Sequence, residues 1–374
     1  MKFSCLRENL STTLSLVSGL TGKSSHLPVL GHVLITADQQ KVEVSATNLE
    51  MALTATVRAK AETAGAATVP ASTLGDVVRL FGEDKLTIEL INRELIIAGV
   101  NTNTKLRSSA AEDFPIIPPL NDGQGYTVSA AELAAAVRAT LVAAAKNDVR
   151  PELAGILFAW LASPPRLVLA ATDSYRLAEF TIPLSTAITQ DFKVIVPARA
   201  AQEIQRILTM LAKPEGETEA QLLFNEHQLL LTWQNVRLTS RLVAGEFPDY
   251  RQIIPAAFPI TIQAPVGQLI NEVKAAGLFT TSGINAISLS SQDNQSITIS
   301  ASAAQTGEYR STLPAQIEGK PISVLLNHHY LLDGLTHLPA AEARLQFVDA
   351  ESPGLLTPAG GQSAYRYLIM PIRQ

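Results

Sequence analysis

The chain repeats itself. Val69-Pro70-Ala71-Ser72 opens a helical pattern with Leu74, Val77, Val78 and Phe81 on one face, and Val196-Pro197-Ala198-Arg199 opens another with Ala201, Ile204, Leu208 and Leu211. Both put proline at a helix start, where its missing N–H costs nothing. Upstream, Ala46-Thr47-Asn48-Leu49-Glu50 recurs as Ala171-Thr172-Asp173-Ser174-Tyr175; downstream, Glu112-Asp113-Phe114-Pro115 recurs as Gly245-Glu246-Phe247-Pro248. The same landmarks in the same order at a nearly constant offset imply a duplicated unit.

Each unit also begins with a helix. Leu6, Leu10, Leu14 and Val17 form one apolar stripe, and Leu133, Val137 and Leu141 form the next, behind a capping box at Ser129-Ala130-Ala131-Glu132. In the last third, Val266, Leu269, Ile270 and Val273 supply a third opening helix, and Leu331, Leu335 and Leu338 a second one after Leu326-Asn327. Between the helices the chain reads as short strands: 29–36, 41–46, 86–90, 94–98, 156–160, 167–171, 222–224, 228–233, 286–290 and 296–301. Asn92-Arg93, Asn225-Glu226 and Asp293-Asn294 suit hairpin turns. Turn-rich segments at Asn121-Asp122-Gly123-Gln124-Gly125 and Pro255-Ala256-Ala257 mark boundaries, so 374 residues divide into three α+β units.

Composition excludes several classes. Hydrophobic residues at 47% and charged residues at 17% describe an ordered chain with no long disordered region. A single cysteine, Cys5, forbids an internal disulfide and a cysteine-cluster metal site, which suits a reducing cytoplasm. Charge within Met1-Lys2-Phe3-Ser4-Cys5-Leu6-Arg7-Glu8 interrupts any signal-peptide apolar region, and the apolar run 153–162 is too short to span a membrane. A net charge of −5 argues against a large basic face gripping nucleic acid, though not against a small basic lining.

Catalytic chemistry finds little support. Gly361-Gln362-Ser363-Ala364-Tyr365 resembles a nucleophile elbow but lacks glycine at its fifth position. His328, His329 and His337 cluster without the His-Glu-x-x-His spacing or a cysteine partner, so a solvated helix face explains them better than a metal. Glu83-Asp84 and Glu112-Asp113 sit beside turns, where carboxylates cap backbone N–H groups. No Gly-rich phosphate loop occurs, and no cofactor, metal or catalytic residue is expected. What remains are cations on the polar faces of repeated helices: Arg79 near Ser72 and Asp76; Arg138 and Lys146, with Arg150 just beyond; Arg199 and Arg206, diluted by Glu203; and Lys274. The C-terminal segment is unusual in being apolar: Tyr365 to Met370 suits an edge strand stopped by Pro371, with Met370 and Ile372 near its mouth.

Seven motifs then occur in order: Met1-Lys2-Phe3; Leu27-Pro28-Val29-Leu30-Gly31; Asn48-Leu49-Glu50-Met51; Ala171-Thr172-Asp173 with Arg176-Leu177-Ala178; Val194-Ile195-Val196-Pro197; Phe247-Pro248-Asp249-Tyr250-Arg251; and Met370-Pro371-Ile372-Arg373. Together they resemble the bacterial DNA polymerase III beta subunits, the beta sliding clamps, over the whole chain. The resemblance implies three similar clamp domains at 1–122, 125–254 and 257–374, each with two helices packed on antiparallel sheet. It further implies a head-to-tail homodimeric ring around double-stranded DNA, non-catalytic and cytoplasmic, held by topology and not by sequence readout. DNA polymerases, the clamp loader and repair proteins would dock through short peptides, with no membrane partner.

The resemblance places peptide docking at three stretches. The first is Leu153, Thr172, Ser174, Tyr175, Arg176 and Leu177; the second is Pro248 and Ile253; the third is Leu368, Ile369, Met370, Pro371, Ile372 and Arg373. This reads as an apolar groove with a cation at either end. DNA-facing positions would be Lys23, Ser24, Arg79, Arg138, Lys146, Asn147, Arg150, Arg199 and Arg206, and the dimer contact Leu278 and Phe279. The chain departs from the family pattern at Ser174-Tyr175, where many members have Gly-His, and at Gln252, where a second arginine is common. Its DNA-facing positions are also less basic than is usual, with Ser72 and Pro151-Glu152 among the substitutions. The competing expectation is a repeat-built scaffold or enzyme unrelated to DNA, centred on His328, His329 and the Gly360-Gly361 loop.

Overall fold

The computed structural model describes residues 1–22, 27–147, 149–212, 218–281, 283–360 and 364–373. Six α-helices occur among them: α1 Arg7–Val17, α2 Ala71–Leu80, α3 Ala130–Leu141, α4 Ala198–Met210, α5 Val266–Gly277 and α6 His328–Thr336. Proline stands immediately before α2, α4 and α5, ending a strand and starting a helix in one step. Apolar periodicity gave a stripe for each of the six. The exception in detail is Leu6, which ends the first strand and is 53% exposed, while Leu16 takes its place in the buried face of α1. The expected strand at 29–36 is a 3₁₀ turn, Pro28–Gly31, followed by a strand from His32 to Ala37.

Contacts gather the chain into two bodies, Met1–Ala131 with Arg206–Leu242 and Glu132–Gln205 with Val243–Gln374. In the first body, Ala59–Thr63, Lys2–Leu6, Lys85–Ile91, Glu94–Ala98 and Asn103–Arg107 form a five-stranded antiparallel sheet. An eight-stranded sheet joins strands from distant parts of the chain through Met51–Val57, which pairs with Val236–Arg241. α1 packs against α2 and this sheet, burying Leu10, Leu14, Leu74 and Val78. The hairpin at Asn92-Arg93 forms as expected, both residues at positive φ (48° and 65°), the geometry a two-residue type I′ turn needs.

The second body carries a four-stranded sheet and a nine-stranded one. The nine-stranded order is Phe192–Pro197, Gly155–Ala162, Pro165–Thr172, Arg176–Pro183, Tyr365–Ile369, Gly354–Pro358, Glu342–Phe347, Ile260–Pro265 and Gln316–Glu318. The C-terminal strand expected at an edge is therefore interior. It pairs with Arg176–Pro183 on one side and Gly354–Pro358 on the other, so its backbone is satisfied in both directions, and its side chains other than Arg366 are buried.

The sequence duplication is reproduced bond for bond in two turns. In the first copy Leu49 has φ 75°, Thr47 Oγ1 donates to the Met51 carbonyl at 2.8 Å, and Asn48 Oδ1 accepts from the Glu50 and Met51 amides at 3.1 and 2.8 Å. In the second, Ser174 has φ 77°, Thr172 Oγ1 donates to the Arg176 carbonyl at 2.7 Å, and Asp173 Oδ1 accepts from the Tyr175 and Arg176 amides at 3.0 and 3.1 Å. A threonine and an Asx residue thus fold the chain into the same tight loop twice.

Arg206 does not stand free on a helix face as expected. Its Nη2 donates to the Leu16 carbonyl at 2.7 Å, placing a cation at the last turn of α1 where the carbonyls lack helical partners, and Nη1 lies 3.2 Å from Met210 Sδ. Gly19 leaves room for it, since an added Cβ would sit 3.0 Å from Nη2. Arg206→Ala is expected to lower stability by about 1–2 kcal/mol, the cost of one charge-assisted hydrogen bond at a half-buried site. Urea unfolding checks it.

Candidate functional site

The strand Tyr365–Ile369 has two working faces. On one, Tyr365 and Tyr367 point at α6: Tyr367 Oη donates to the Tyr330 carbonyl at 2.8 Å and Tyr365 Oη lies 3.4 Å from the Gly334 carbonyl. Gly334 is required there, because a Cβ would meet Tyr367 Cδ1 at 2.6 Å. Burial pushes the Tyr367 and Tyr365 hydroxyls well above the usual phenol range, so both stay neutral. On the other face, Leu368 lies opposite Leu177 in register and next to Leu355, in an apolar cluster with Leu157, Val168 and Tyr250. Phe247, Ile254 and Phe258 cover that cluster and are only partly buried.

Beyond Ile369 the segment remains fixed. The Met370 amide donates to the Tyr175 carbonyl at 2.9 Å and the Ile372 amide to the Leu325 carbonyl at 2.8 Å. Pro371 is buried, Met370 and Ile372 are half-buried, and Arg373 is exposed. Met370 continues the pairing one residue past the strand and so falls on the Leu368 side, while Ile372 follows Pro371 outside the strand. The loop at Phe247–Ile254 is pinned by Tyr250, whose hydroxyl donates to the buried Glu179 carboxylate at 2.6 Å and whose ring meets Phe247 edge to face at 6.2 Å. Burial first, then the Glu179 charge, raises the Tyr250 phenol beyond its usual range. This loop carries Pro248, half-buried, and Ile253, 50% exposed; Gln252 bonds to Asp249 at 3.0 Å.

Among the residues expected to dock peptide, side chains with open surface are Tyr175 (63% exposed), Pro248, Ile253, Met370, Ile372 and Arg373. Leu177 and Leu368 are buried in the apolar cluster, Ile369 is buried on the opposite face with Tyr367, Thr172 closes the turn, and Leu153 is buried in the 3₁₀ turn Pro151–Leu153. Ser174 fills the positive-φ position where a glycine would be unstrained, at a cost of about 1 kcal/mol offset by the Thr172 and Asp173 hydrogen bonds.

Arg176 corrects the sequence expectation of a free cation at one end of the groove. It is 5% exposed; Nε donates to Asp173 Oδ2 at 3.0 Å, Nη1 to Asp333 on α6, and the guanidinium lies 4.4 Å above the Tyr330 ring. Burial alone would lower its proton affinity, but Tyr367, Asp333 and Asp173 outweigh that and the net shift is upward. Tyr330 and Asp333 escaped sequence reasoning. The signal was a lone acid inside the apolar helix His328-His329-Tyr330-Leu331-Leu332-Asp333, on the same face as Tyr330 three residues earlier.

Three family models lie end to end on this chain: the N-terminal domain of the DNA polymerase III beta subunit at residues 1–118, the central domain at 127–249 and the C-terminal domain at 251–373. The chain belongs to the DNA polymerase III beta subunit family. The beta sliding clamp of Synechococcus elongatus is 30% identical over 379 residues, covering 100% of this chain and 99% of that protein. The beta sliding clamp of Vibrio cholerae is 29% identical, covering 100% of both. The crystal structure of the DNA polymerase III subunit beta from Pseudomonas aeruginosa matches with a TM-score of 0.93 at 26% identity, covering 100% of both chains, and a sliding clamp from that organism bound to griselimycin matches equally.

This member of the beta subunit family keeps the α+β clamp-domain pattern, with its remaining expected positions distributed as follows. Arg138, Lys146, Asn147 and Arg199 are exposed; Arg79 is exposed but paired with Asp76, and Arg150 pairs with Glu152 at 2.9 Å. Lys23 and Ser24, with Gly361-Gln362-Ser363, lie outside the described residues. Leu278 is 74% exposed, and Phe279 stacks on Tyr309 at 5.8 Å. His328 is buried with Nδ1 3.0 Å from the Asn285 carbonyl and its pKa lowered by burial, the environment of a core histidine. Among the described residues no three His, Cys, Asp or Glu side chains gather as metal ligands, and no helix is long and apolar enough to cross a membrane. Cys5 is a buried thiol pushed up to about 12 by desolvation.

Proposed function

We propose that two copies of this chain close head to tail into a ring around duplex DNA. The ring docks DNA polymerases, the clamp loader and repair proteins through short apolar peptides, confers processivity without catalysis, and works in the cytoplasm. The observation that carries the docking half is the segment Met370-Pro371-Ile372, held by backbone bonds to Tyr175 and Leu325 while the Met370 and Ile372 side chains stay half-buried directly after the Leu177–Leu368 pair. Two or three peptide side chains buried there, at roughly 1.5–3 kcal/mol each less ordering costs, give about micromolar affinity. Met370, unbranched and polarisable, adapts to differently shaped partners. Weak single sites let partners exchange.

The ring half is supported by the dimer positions. Exposed Leu278 beside Phe279 presents one apolar surface, and the end strand Gly307–Pro314 of the four-stranded sheet is an open edge; Asn103–Arg107 ends the five-stranded sheet in the same way. Two unlike surfaces suit a heterologous contact, which makes a closed ring when its rotation closes. A net charge of −5 fits topological holding, because two of the exposed cations at the expected DNA-facing positions, Arg79 and Arg150, are already paired with carboxylates. The test is retention on DNA. Loaded clamp is expected to persist on a nicked circle and to leave within minutes of linearisation; equal retention on both forms would refute encirclement. A monomeric mass in solution would instead favour the non-DNA scaffold.

A further inference from the structure

The two copies of the Thr-Asx turn differ in one respect. The first has Asn48 and Met51 where the second has Asp173 and Arg176, yet both make the same backbone and side-chain hydrogen bonds. The first copy therefore establishes that the turn folds without charge. The second copy's ion pair is an addition, and a costly one, since both Arg176 and Asp173 lose water to make it. Its far end explains it: Arg176 reaches Asp333 on α6, with the Tyr330 ring beneath and Tyr367 alongside.

We infer that Asp333 is a positioning residue of the docking groove: through Arg176 it locks the Thr172–Arg176 turn against α6, and so fixes the Tyr175 carbonyl that holds the Met370 amide. The inference rests on the docking reading of that groove. The same helix grips the other face of the C-terminal strand through Tyr367 and the Tyr330 carbonyl, and the segment beyond it is bonded to Leu325, two residues before the α6 N-cap Asn327. Without Asp333, Arg176 keeps Asp173, a partner within its own turn, and the stacking on Tyr330, but the turn loses its carboxylate partner on the helix. A second turn that drifts carries Tyr175 and Met370 with it. The first turn has no such tie at its Met51, where the corresponding strand junction presents Ala52 and Thr239 in place of Leu177 and Leu368 and so offers no apolar floor to position.

The test uses the intact chain with ¹³C-methyl methionine. Only four methionines occur, Met1, Met51, Met210 and Met370, so each methyl is assignable. Asp333→Asn, nearly isosteric, is expected to move the Met370 methyl resonance while Met1, Met51 and Met210 stay in place. It should also weaken a fluorescein-labelled C-terminal peptide of the replicative polymerase about tenfold, roughly 1.4 kcal/mol. Asp333→Glu, which keeps the charge, should recover most of that affinity. An unmoved Met370 methyl, or an affinity within twofold of the parent, overturns the inference. Should Asp333→Asn unfold, Tyr330→Leu removes the ring beneath the guanidinium while both carboxylates remain, and it must shift the same methyl or the inference fails. A parent chain that binds no peptide while Asp333→Asn still moves Met370 would refute docking and leave the positioning intact.

Discussion

Replacing Met370 and Ile372 together with alanine is expected to weaken a polymerase C-terminal peptide by roughly 100-fold or more and to leave the proposed dimer and the chain's thermal unfolding nearly unchanged. Both side chains are half-buried in the free chain, so each has surface left to cover when a peptide arrives. Truncation removes that surface at about 1.5–3 kcal/mol for each side chain. Their backbone bonds to Tyr175 and Leu325 do not depend on the side chain, so the segment should stay docked. Fluorescence anisotropy and analytical ultracentrifugation give the two readings. Undiminished affinity would remove the groove from Met370 and Ile372 altogether.

Three residues earlier on the same strand the outcome should reverse. Tyr367→Ala is expected to destabilise the fold by about 3–5 kcal/mol, because a fully buried aromatic ring leaves a cavity between the sheet and α6 that Gly334, without a side chain, cannot fill. Tyr367→Phe keeps the ring and loses only the 2.8 Å bond to the Tyr330 carbonyl, so about 1 kcal/mol is expected. Urea unfolding followed by near-ultraviolet circular dichroism distinguishes the two. A Tyr367→Ala chain as stable as the parent would mean that the strand is not the interior member of the nine-stranded sheet.

The contrast between these neighbours shows which signals the sequence carried. Strands 94–98 and 228–233 emerge with the bounds their alternation gives, and the Asn92-Arg93 hairpin follows from the residue types alone. Met51–Val57 was not expected as a strand although it alternates, with Met51, Leu53, Ala55 and Val57 buried and Thr54 and Thr56 half-buried; its small Ala and Thr residues make that alternation weak in the sequence. The C-terminal strand was legible as apolar but misplaced at an edge. Whether a strand has one partner or two depends on backbone groups that every residue shares, and the partner Arg176–Pro183 lies far away in the chain.

Charge was the least legible property. Arg79, Arg176 and Arg206 look alike in the sequence, yet one is an exposed surface pair, one is buried between two carboxylates and a tyrosine ring, and one closes the end of α1. By itself the sequence determined the duplicated turn, the apolar stripes of the helices, and the family, because these rest on residue type and local spacing. Only the tertiary structure decided that the apolar C-terminal segment is interior, and that Arg176 is spent on Asp173 and Asp333 instead of facing a ligand. It also decided that Met370 and Ile372 are what remains open, since strand partners and ion-pair partners are chosen by long-range packing that leaves no periodic trace in the chain.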